Sequence, residues 1–414
     1  MLSLDDYAWL NSSEGQAAWR LTLQGSTELS RAGIRAATRI SSTHADLLLE
    51  QRLFADGKSR AKVEDPNRWF WTQRLFEQAS DEWTAKETAL DAPQACGRWF
   101  DVCCGAGVDC VALATRRSSV TGVDIDPIAV ALARANASMN QVDIQLENSS
   151  AESIAFDRAA FFNIDPDRRN DGHRTIDPFR SQPAWPWIAQ AIVHCGAVSL
   201  KLAPALRVGV EFDWCGTPRP QTMRWLSWNG SVRQQRWYWG VDRWPADTRI
   251  ASCGNKRRGW HHEIFTHSGN FTGLNSVALL DEPSRLLSGY IADQDPVVRA
   301  AGVSDLLAQR LQAMCIGDRN GYFYSEHPVF HPMLRWFRVN DVVTMDPKRI
   351  RSMTRGLHAS HWELKSRGVE IDLDAMRRQL HFEPTSDRRM TLLFTRMRNK
   401  HLAIVAERME GETE

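Results

Sequence analysis

The spacing of apolar residues divides the chain into three regions. Over residues 1–95 apolar side chains recur every three or four positions, as in HADLLLEQRLFADGKSRAKV and WFWTQRLFEQASDEWTAKETAL, which predicts helices. From residue 98 onward short apolar runs alternate with helical stretches. Such alternation is typical of a parallel sheet that is covered by helices on both faces.

Four strands and two helices are predicted at the start of this second region. The strands cover residues 99–102, 119–124, 143–146 and 159–164, and the helices cover residues 108–115 and 128–140. Asp126 and Pro127 are expected to be the N-cap and first residue of the second helix.

The second region is predicted to end in an antiparallel hairpin. Residues 196–213 form apolar runs around Pro204, and RWLSW and VRQQRWYW then flank Asn229-Gly230, a strong type I′ turn signal. Trp237 and Trp239 lie on one face of their strand, where alternation favours core packing over stacking on nucleic-acid bases.

The third region mixes helices and strands in a different order. Helices are predicted over residues 296–314, 348–357 and 374–380, an extended run over 335–343, and apolar strands over 390–395 and 401–406. This pattern predicts an α+β module. We therefore expect an N-terminal helical region over 1–95, an α/β domain over 96–285 and the α+β module over 286–414.

Composition narrows the class of protein. Hydrophobic residues make up 43% and charged residues 24% of the 414 positions, which excludes a disordered or fibrous chain. The net charge of +1 excludes a polycation that coats nucleic acid through its overall charge. Residues 335–406, however, hold 15 Lys or Arg against 8 Asp or Glu. That local excess suits an RNA backbone, although a solvated basic surface explains it equally well.

The expected location is the cytoplasm. The mean hydropathy is −0.41, no apolar run reaches the roughly 18 residues that span a bilayer, and the acidic, polar N-terminus is unlike a secretory signal. The eight cysteines form neither repeated metal-type pairs nor a dense disulfide frame. His261 and His262 are interpreted as ordinary polar residues, and we expect no metal site.

The turn after the first strand of the α/β domain carries the clearest chemical signal. Asp101 is followed by Gly105 and Gly107, and the glycines allow a ligand to approach the N-terminus of the next helix. Asp124 ends the second strand, where a carboxylate can accept hydrogen bonds from both hydroxyls of a ribose. A strand, a glycine-containing loop, a helix and a second strand that ends in an acid together predict a site for a nucleoside cofactor.

The same turn argues against a dinucleotide. A dinucleotide fingerprint requires a further glycine, but Val108, Asp109 and Cys110 follow Gly107. The carboxylate of Asp101 would repel a phosphate and suits an ammonium group. S-adenosylmethionine has a ribose and an amino acid end but no phosphate, so it fits this turn better.

A second group of polar residues follows the fourth strand. Asp165 and Pro166 end the apolar run, and ligands in open α/β sheets bind at the carboxyl ends of the strands. We expect Asp165 to accept a hydrogen bond from the substrate. The nearby cations that could hold a phosphate or carboxylate are Arg168, Arg169, Arg174 and Lys201.

These segments resemble the class I S-adenosylmethionine-dependent methyltransferases. DVCCGAGVDCVALA and VTGVDIDPIAVALARANA are similar to the family's opening motifs, and DPDRRNDGHR, SLKLAPAL and the hairpin resemble a branch with an Asp-Pro-x-Arg-Arg motif and a C-terminal THUMP-like domain. The resemblance covers roughly residues 45–410. It implies a Rossmann-like, mostly parallel sheet with a terminal antiparallel hairpin, an N-terminal helical segment and a C-terminal α+β THUMP-like module.

The resemblance also assigns site residues. It places the methionine end of the cofactor on Asp101, Gly105, Gly107 and Cys103, which replaces a common glycine. It places the ribose and adenine on Asp124, Ile125, Asn148 and Ser149, with Ser150 as a further adenine candidate. The candidate catalytic residues are Asp165, Pro166, Arg168 and Lys201, and Asp165 is also a candidate contact of the cofactor. The Asp-Pro-Asp-Arg sequence lacks the stacking aromatic of base N-methyltransferases.

The expected function is methyl transfer from S-adenosylmethionine to RNA, with tRNA as one candidate. Two alternatives stay open at this point. The acceptor could be a small molecule or a protein, or the chain could be a non-catalytic RNA-binding protein that keeps the fold.

Overall fold

The computed structural model describes most of the chain in two compact units. Described are residues 2–24, 30–170, 173–206, 216–266, 277–317, 321–355, 357, 359, 361–380, 382 and 388–409. The first unit contains residues 1–224 and 233–248, and the second contains residues 225–232 and 249–414.

The first unit is an α/β unit. Its helices are α1 (Leu4–Trp9), α2 (Ser13–Gln24), α3 (Arg31–Thr38), α4 (Ser42–Asp56), α5 (Gln73–Gln78), α6 (Glu82–Ala89), α7 (Val108–Ala114), α8 (Pro127–Met139) and α9 (Trp185–His194). Its strands are β1 (Arg98–Val102), β2 (Val120–Asp124), β3 (Gln145–Asn148), β4 (Ala160–Ile164), β5 (Arg169–Asn170), β6 (His173–Arg174), β7 (Ala197–Leu202), β8 (Thr222–Trp228) and β9 (Ser231–Trp239), with β8 continuing into the second unit.

The sheet of the first unit is mostly parallel, as predicted. Strands β3, β2, β1, β4 and β7 are parallel neighbours in that order, and β9 then pairs antiparallel with β7 within the described residues. Strands β1, β2 and β4 are in register at Asp101, Gly122 and Asn163. This order brings the ends of β1, β2 and β4 together, which is where a ligand site is expected in such a sheet.

The hairpin also agrees with its sequence signal. Asn229 and Gly230 both have positive φ angles, 50° and 77°, as a type I′ turn requires. The hairpin tryptophans are buried, as predicted, at relative exposures of 5% or less: Trp225, Trp228, Trp237 and Trp239. Of the predicted apolar runs around Pro204, residues 207–215 lie outside the described part of the chain.

The N-terminal helices belong to the first unit rather than to a separate body. Asn136, a buried residue of α8, accepts a hydrogen bond from the Phe70 amide at 2.7 Å and donates to the Phe70 carbonyl at 3.1 Å. Its side chain also donates to the Ala106 carbonyl at 2.9 Å. One buried amide therefore links the segment before the sheet to the loop after β1.

Replacing Asn136 with Ala should destabilise this arrangement. The change leaves the buried backbone groups of Phe70 and Ala106 without partners, at a cost of about 1–3 kcal/mol for each unsatisfied group. We expect a lower free energy of unfolding in urea titrations and a lower Tm. An unchanged midpoint would contradict the role given to Asn136.

A buried ionic cluster further ties the hairpin to the N-terminal helices. Arg224, with no exposed side-chain surface, pairs with Glu87 and Asp91 at 2.5 Å each. Asp91 also accepts from the Tyr238 hydroxyl at 2.6 Å and from Arg243 at 2.8 Å. The burial of these charged side chains is tolerated because each of them has a partner of opposite charge.

The second unit is built around another sheet. Its helices are α10 (Pro296–Ala300), α11 (Ser304–Arg310), α12 (Pro347–Arg355) and α13 (Leu373–Leu380). Its strands are β10 (Thr248–Asn255), β11 (Gly259–Thr266), β12 (Leu279–Leu280), β13 (Tyr290–Gln294), β14 (Met314–Ile316), β15 (Phe323–Ser325), β16 (Leu334–Thr344), β17 (His361–Arg367), β18 (Arg389–Met397) and β19 (Lys400–Arg408). Within the described residues the sheet order is β12-β14-β15-β13-β16-β19-β18-β17.

Both faces of this sheet are buried. Along β18, Leu393 packs into one apolar cluster, whereas its neighbours Leu392 and Phe394 pack into another. Along β19, Ile404 and Val405 divide in the same way. Two-sided burial explains why both strands are continuous apolar runs rather than alternating ones.

The predicted helix over residues 296–314 is wrong in its extent. It is two short helices, α10 and α11, and Met314 already begins β14. Gly302, with a φ of 68°, lies between the two helices, and this left-handed conformation ends α10. Among the described residues no helix is long and apolar enough to cross a membrane.

Candidate functional site

A cavity of about 430 Å³ opens at the carboxyl ends of β1, β2 and β4. The predicted site residues that line it are Asp101, Cys103, Gly105, Asp124, Ile125, Ser149, Asp165, Pro166, Arg168 and Lys201. Gly107 and Asn148 are outside this lining. Residues far apart in sequence therefore meet at the edge where the sheet order predicts a ligand.

The loop after β1 is held by the carboxylate of Asp124. Asp124 accepts a hydrogen bond from the Gly105 amide at 2.8 Å and one from the Asp126 amide at 2.9 Å. Burial raises the pKa of Asp124, and these two amides oppose that shift. The acid at the end of β2 thus fixes the first loop and lines the cavity at the same time.

Positive φ angles recur along this loop. They are 62° at Cys103 and 55° at Gly105. Cys103 adopts the left-handed conformation, which a non-glycine residue does at some cost. The loop therefore keeps this tight path although a cysteine stands at its first left-handed position.

Gly107 is required by packing. Its φ is 85°, and a Cβ atom there would lie 3.0 Å from the Cβ of Ala133 on α8. The absence of a side chain lets α7 begin directly against α8. This close approach, rather than a position in the cavity wall, accounts for the second glycine of the motif.

Asp101 lies at the base of the cavity, with only 1% of its surface exposed. Its Oδ1 accepts a hydrogen bond from the Asn163 side chain at 2.7 Å. Its Oδ2 is buried and accepts no N–H or O–H hydrogen bond from the described residues. Burial, reinforced by the charge of Asp109, raises the pKa of Asp101 to about 7, against the opposing effects of Cys110, Asn163 and Arg236.

A buried polar network supports Asp101 from below. Arg236, fully buried on β9, donates to the Asn163 side-chain oxygen and, at 2.9 Å, to Asp109. It also donates to the Ser199 hydroxyl at 3.2 Å. The sequence alone did not identify Asn163, Asp109 and Arg236 as members of this network. The available signal was that each is a polar residue within a largely apolar run.

The residues after β3 divide into two roles. Asn148 donates to the carbonyls of Asp124 and Ile125, both at 3.0 Å, so its side chain braces the β2 turn. Ser149 lines the cavity. Ile125 exposes 75% of its surface there, which is unusual for an isoleucine and gives the cavity an apolar wall.

Asp165 forms a charged pair at the other side of the cavity. Its Oδ2 accepts from the Lys201 ammonium at 2.6 Å, and Lys201 also donates to the Ser80 hydroxyl at 2.8 Å. Lys201 is buried, and Asp165 keeps partial exposure. Ser80 was not predicted, since it lies in the N-terminal helical region, far from the motifs in sequence.

The arginines after Asp165 differ in position. Arg168 lines the cavity but is only 8% exposed, and Arg169 also lines it and lies 3.6 Å from Glu77. The side chain of Arg174 lies outside the described part of the structure. Burial raises the pKa of the Cys103 thiol well above the ordinary value, which disfavours the nucleophilic thiolate.

In the second unit, three residues that sequence spacing did not connect lie together. Glu263 Oε1 is 2.8 Å from His331 Nε2 and 3.3 Å from His261 Nε2, and its other oxygen pairs with Arg310. The Nδ1 of His331 accepts from the Met333 amide at 3.2 Å, which assigns the ring proton to Nε2. His331 therefore donates a hydrogen bond to Glu263. Two histidines and a carboxylate are also residue types that can hold a metal ion, so the expectation of no metal site stays a prediction.

Two family models match the chain. One, described as a methyltransferase domain, matches residues 100–164, which contain the end of β1, the cavity loop, β2 and β4. The other, described as THUMP domain-like, matches residues 334–408. The chain is a methyltransferase with a THUMP-like domain.

Relatives extend this similarity over most of the methyltransferase. An uncharacterized S-adenosylmethionine-dependent methyltransferase of Mycobacterium tuberculosis, found in strains CDC 1551 and H37Rv, is 26% identical over 338 residues, covering 80% of this chain and 86% of the relative. A crystal structure from Porphyromonas gingivalis W83, of a protein proposed to be a methyltransferase, covers 99% of this chain and 100% of its own with a TM-score of 0.71. At 15% identity that likeness shows a shared fold.

Proposed function

We propose that this methyltransferase transfers a methyl group from S-adenosylmethionine to RNA in the cavity bounded by Asp101, Asp124 and Asp165. The observation that carries the cofactor assignment is the buried Oδ2 of Asp101, which accepts no N–H or O–H hydrogen bond from the described residues. A buried carboxylate whose donors on this side are no stronger than the Cys110 thiol is costly unless a ligand supplies a better one. The ammonium of a bound amino acid is such a donor.

The other walls fit the rest of S-adenosylmethionine. Asp124, which already accepts two backbone amides, retains lone pairs that can accept the ribose hydroxyls. The exposed side chain of Ile125 offers an apolar surface for the adenine, and Ser149 offers a polar edge. The relatives in Mycobacterium tuberculosis are named for the same cofactor.

Cofactor affinity should depend on pH because of Asp101. Its pKa of about 7 means that below neutral pH it must lose a proton before it can pair with an ammonium. The dissociation constant for S-adenosylmethionine should therefore rise by up to tenfold per pH unit below that pKa. Asp101→Asn should weaken binding and flatten this profile in calorimetric titrations; an unchanged profile would contradict the ammonium contact.

Bound S-adenosylmethionine supplies an electrophilic methyl group. The residues of the chain would then place the acceptor in line with it, which lowers the barrier by removing orientational freedom. Asp165 would accept a hydrogen bond or a proton from the acceptor, while Lys201 and Ser80 hold the carboxylate in position. Arg168 lines the same cavity as Asp165 and is a further charged group there.

RNA is proposed as the acceptor because of the THUMP-like domain. Residues 335–406 carry 15 Lys or Arg against 8 Asp or Glu in a chain whose net charge is only +1. A basic module in the same chain as a near-neutral catalytic domain suits a phosphate backbone. The seven cysteines of the described residues are all free thiols, which is consistent with the proposed cytoplasmic location.

The acceptor can be tested in cells. RNA from a strain lacking this chain should lose one methylated nucleoside, which reappears on complementation with the wild-type chain but not with Asp165→Asn. Mass spectrometry of nuclease-digested tRNA and ribosomal RNA fractions would measure this. Identical nucleoside profiles, together with a methyl group missing from a protein or metabolite, would assign a different acceptor. The membership in the Asp-Pro-x-Arg-Arg branch stays a prediction.

A further inference from the structure

A second cleft, separate from the cofactor cavity, lies within the second unit. Its volume is about 330 Å³, and its walls come from the hairpin tip, the end of β10 and the segments around residues 293–296 and 330–336. Six cationic side chains line it: Arg257, Arg258, Arg335, Lys365, Arg367 and Arg408. The acidic residues in the lining are Asp293 and Asp295.

The floor of the cleft is a fixed cluster with excess positive charge. Asp293 is 4% exposed. Arg367 donates to both of its oxygens, at 3.0 and 3.2 Å, and Lys365 lies 3.3 Å away. Arg299 lies at 3.8 Å from the same carboxylate. Lys365 also pairs with Glu363 at 3.0 Å. Two acids therefore hold the three cations in place, and one positive charge remains in excess.

The second acid of the lining, Asp295, offsets part of the nearby charge of Arg335 and Arg299. Asp295 accepts a hydrogen bond from the Val297 amide at 3.0 Å as the N-cap of α10. Such a cap uses the carboxylate to satisfy backbone donors of the helix. The carboxylates in the lining thus serve structural roles.

The rim adds exposed arginines. Asn255 accepts from the amides of Arg257 and Arg258, at 3.0 and 2.7 Å, and this fixes the backbone that carries both side chains. Arg335 and Arg408 lie exposed on β16 and β19. Within the described part of the chain, the guanidinium groups of these four arginines form neither an ion pair nor a hydrogen bond.

We propose that this cleft is a binding site for a phosphorylated ligand of one to a few phosphate groups. Arginine presents a planar fork of donors that matches phosphate oxygens, and a pre-positioned cationic floor loses little entropy on binding. The enclosed volume suits a terminal phosphate or a nucleotide better than a long stretch of backbone. The proposal does not rest on the methyltransferase reaction, because every residue that carries it lies outside the cofactor cavity.

Calorimetry on the full chain at physiological ionic strength tests the site. The probes are tripolyphosphate, and a short oligoribonucleotide with either a 5′-phosphate or a 5′-hydroxyl. The variants are Arg257→Ala with Arg258→Ala, and separately Arg335→Ala. The matched control is Arg377→Ala with Arg378→Ala, which removes the same charge from the exposed face of α13, outside the cleft.

We expect wild-type binding of tripolyphosphate to weaken by about tenfold or more in both cleft variants and to stay within twofold in the control. A preference for the 5′-phosphorylated oligomer that disappears in the same variants would identify an RNA end as the source. Tripolyphosphate binding alone would identify a free phosphorylated compound. Absence of binding to every probe, or equal loss in the control variant, would overturn the proposal, whatever the outcome for methyl transfer.

Discussion

Replacing Asp165 with Asn is expected to lower methyl transfer by about 10²–10⁴-fold, the range associated with a positioned acid or base. The amide keeps the size of the side chain but cannot accept a proton, and it weakens the 2.6 Å contact with Lys201. The dissociation constant for S-adenosylmethionine should change by no more than a few fold, because the cofactor walls are on β1 and β2. Single-turnover assays and calorimetry would separate the two effects.

The matched control for this variant is Asp143→Asn. Asp143 is an exposed carboxylate ahead of β3, outside the cavity lining, so its neutralisation should leave both transfer and cofactor binding unchanged. If Asp165→Asn instead loses cofactor binding in parallel with activity, Asp165 is a cofactor or structural residue and its role toward the acceptor is wrong.

Asp124→Ala is expected to weaken S-adenosylmethionine binding by about 100-fold. The substitution removes the proposed acceptor of the ribose hydroxyls and also leaves the amides of Gly105 and Asp126 without their partner. Hydrogen bonds to a charged group contribute about 1.5–3 kcal/mol each, so the loss of two has a large effect. Calorimetry would measure it, and thermal unfolding would confirm that the variant remains folded.

The same titrations test the identity of the cofactor. Wild-type protein should bind S-adenosylmethionine and its demethylated product in preference to NAD, since the sequence after Gly107 lacks the last glycine of a dinucleotide fingerprint. Equal affinity of Asp124→Ala and wild type would remove Asp124 from the site. An equal preference for NAD would overturn the cofactor assignment itself.

Local sequence signals predicted the α/β architecture well because they are short-range. The strand, the Gly105 turn and Asp124 lie within a few elements of one another, and Asn229-Gly230 needs only its own φ angles to form the hairpin turn. Parallel sheet order then places Asp165 at the same edge of the sheet as Gly105 without further information. These features required no knowledge of distant contacts.

The features that sequence reasoning missed depend on long-range pairing. Arg236 reaches Asn163 from 73 positions away, and Lys201 meets Ser80 across 121 positions. No local pattern predicts such partners, because a polar residue inside an apolar run gives no indication of which buried group it will meet. The same holds for Asp293 and Arg367, which are 74 positions apart.

Some residues were predicted at the right place for a different reason. Gly107 permits the approach of Ala133, and the side chain of Asn148 braces two carbonyls of the β2 turn rather than lining the cavity. A motif position identifies where a residue type is needed, whereas the physical cause depends on which neighbour the fold brings against it.

The most direct test of the central claim is transfer of a labelled methyl group by the purified chain. Protein is incubated with methyl-labelled S-adenosylmethionine and, in parallel, with total RNA, protein and metabolite fractions from the deletion strain, with Asp165→Asn as the inactive control. The account predicts label in the RNA fraction that is released by ribonuclease, resists protease and is absent with Asp165→Asn. Label confined to the protein or metabolite fraction, or equal label with the variant, would contradict it.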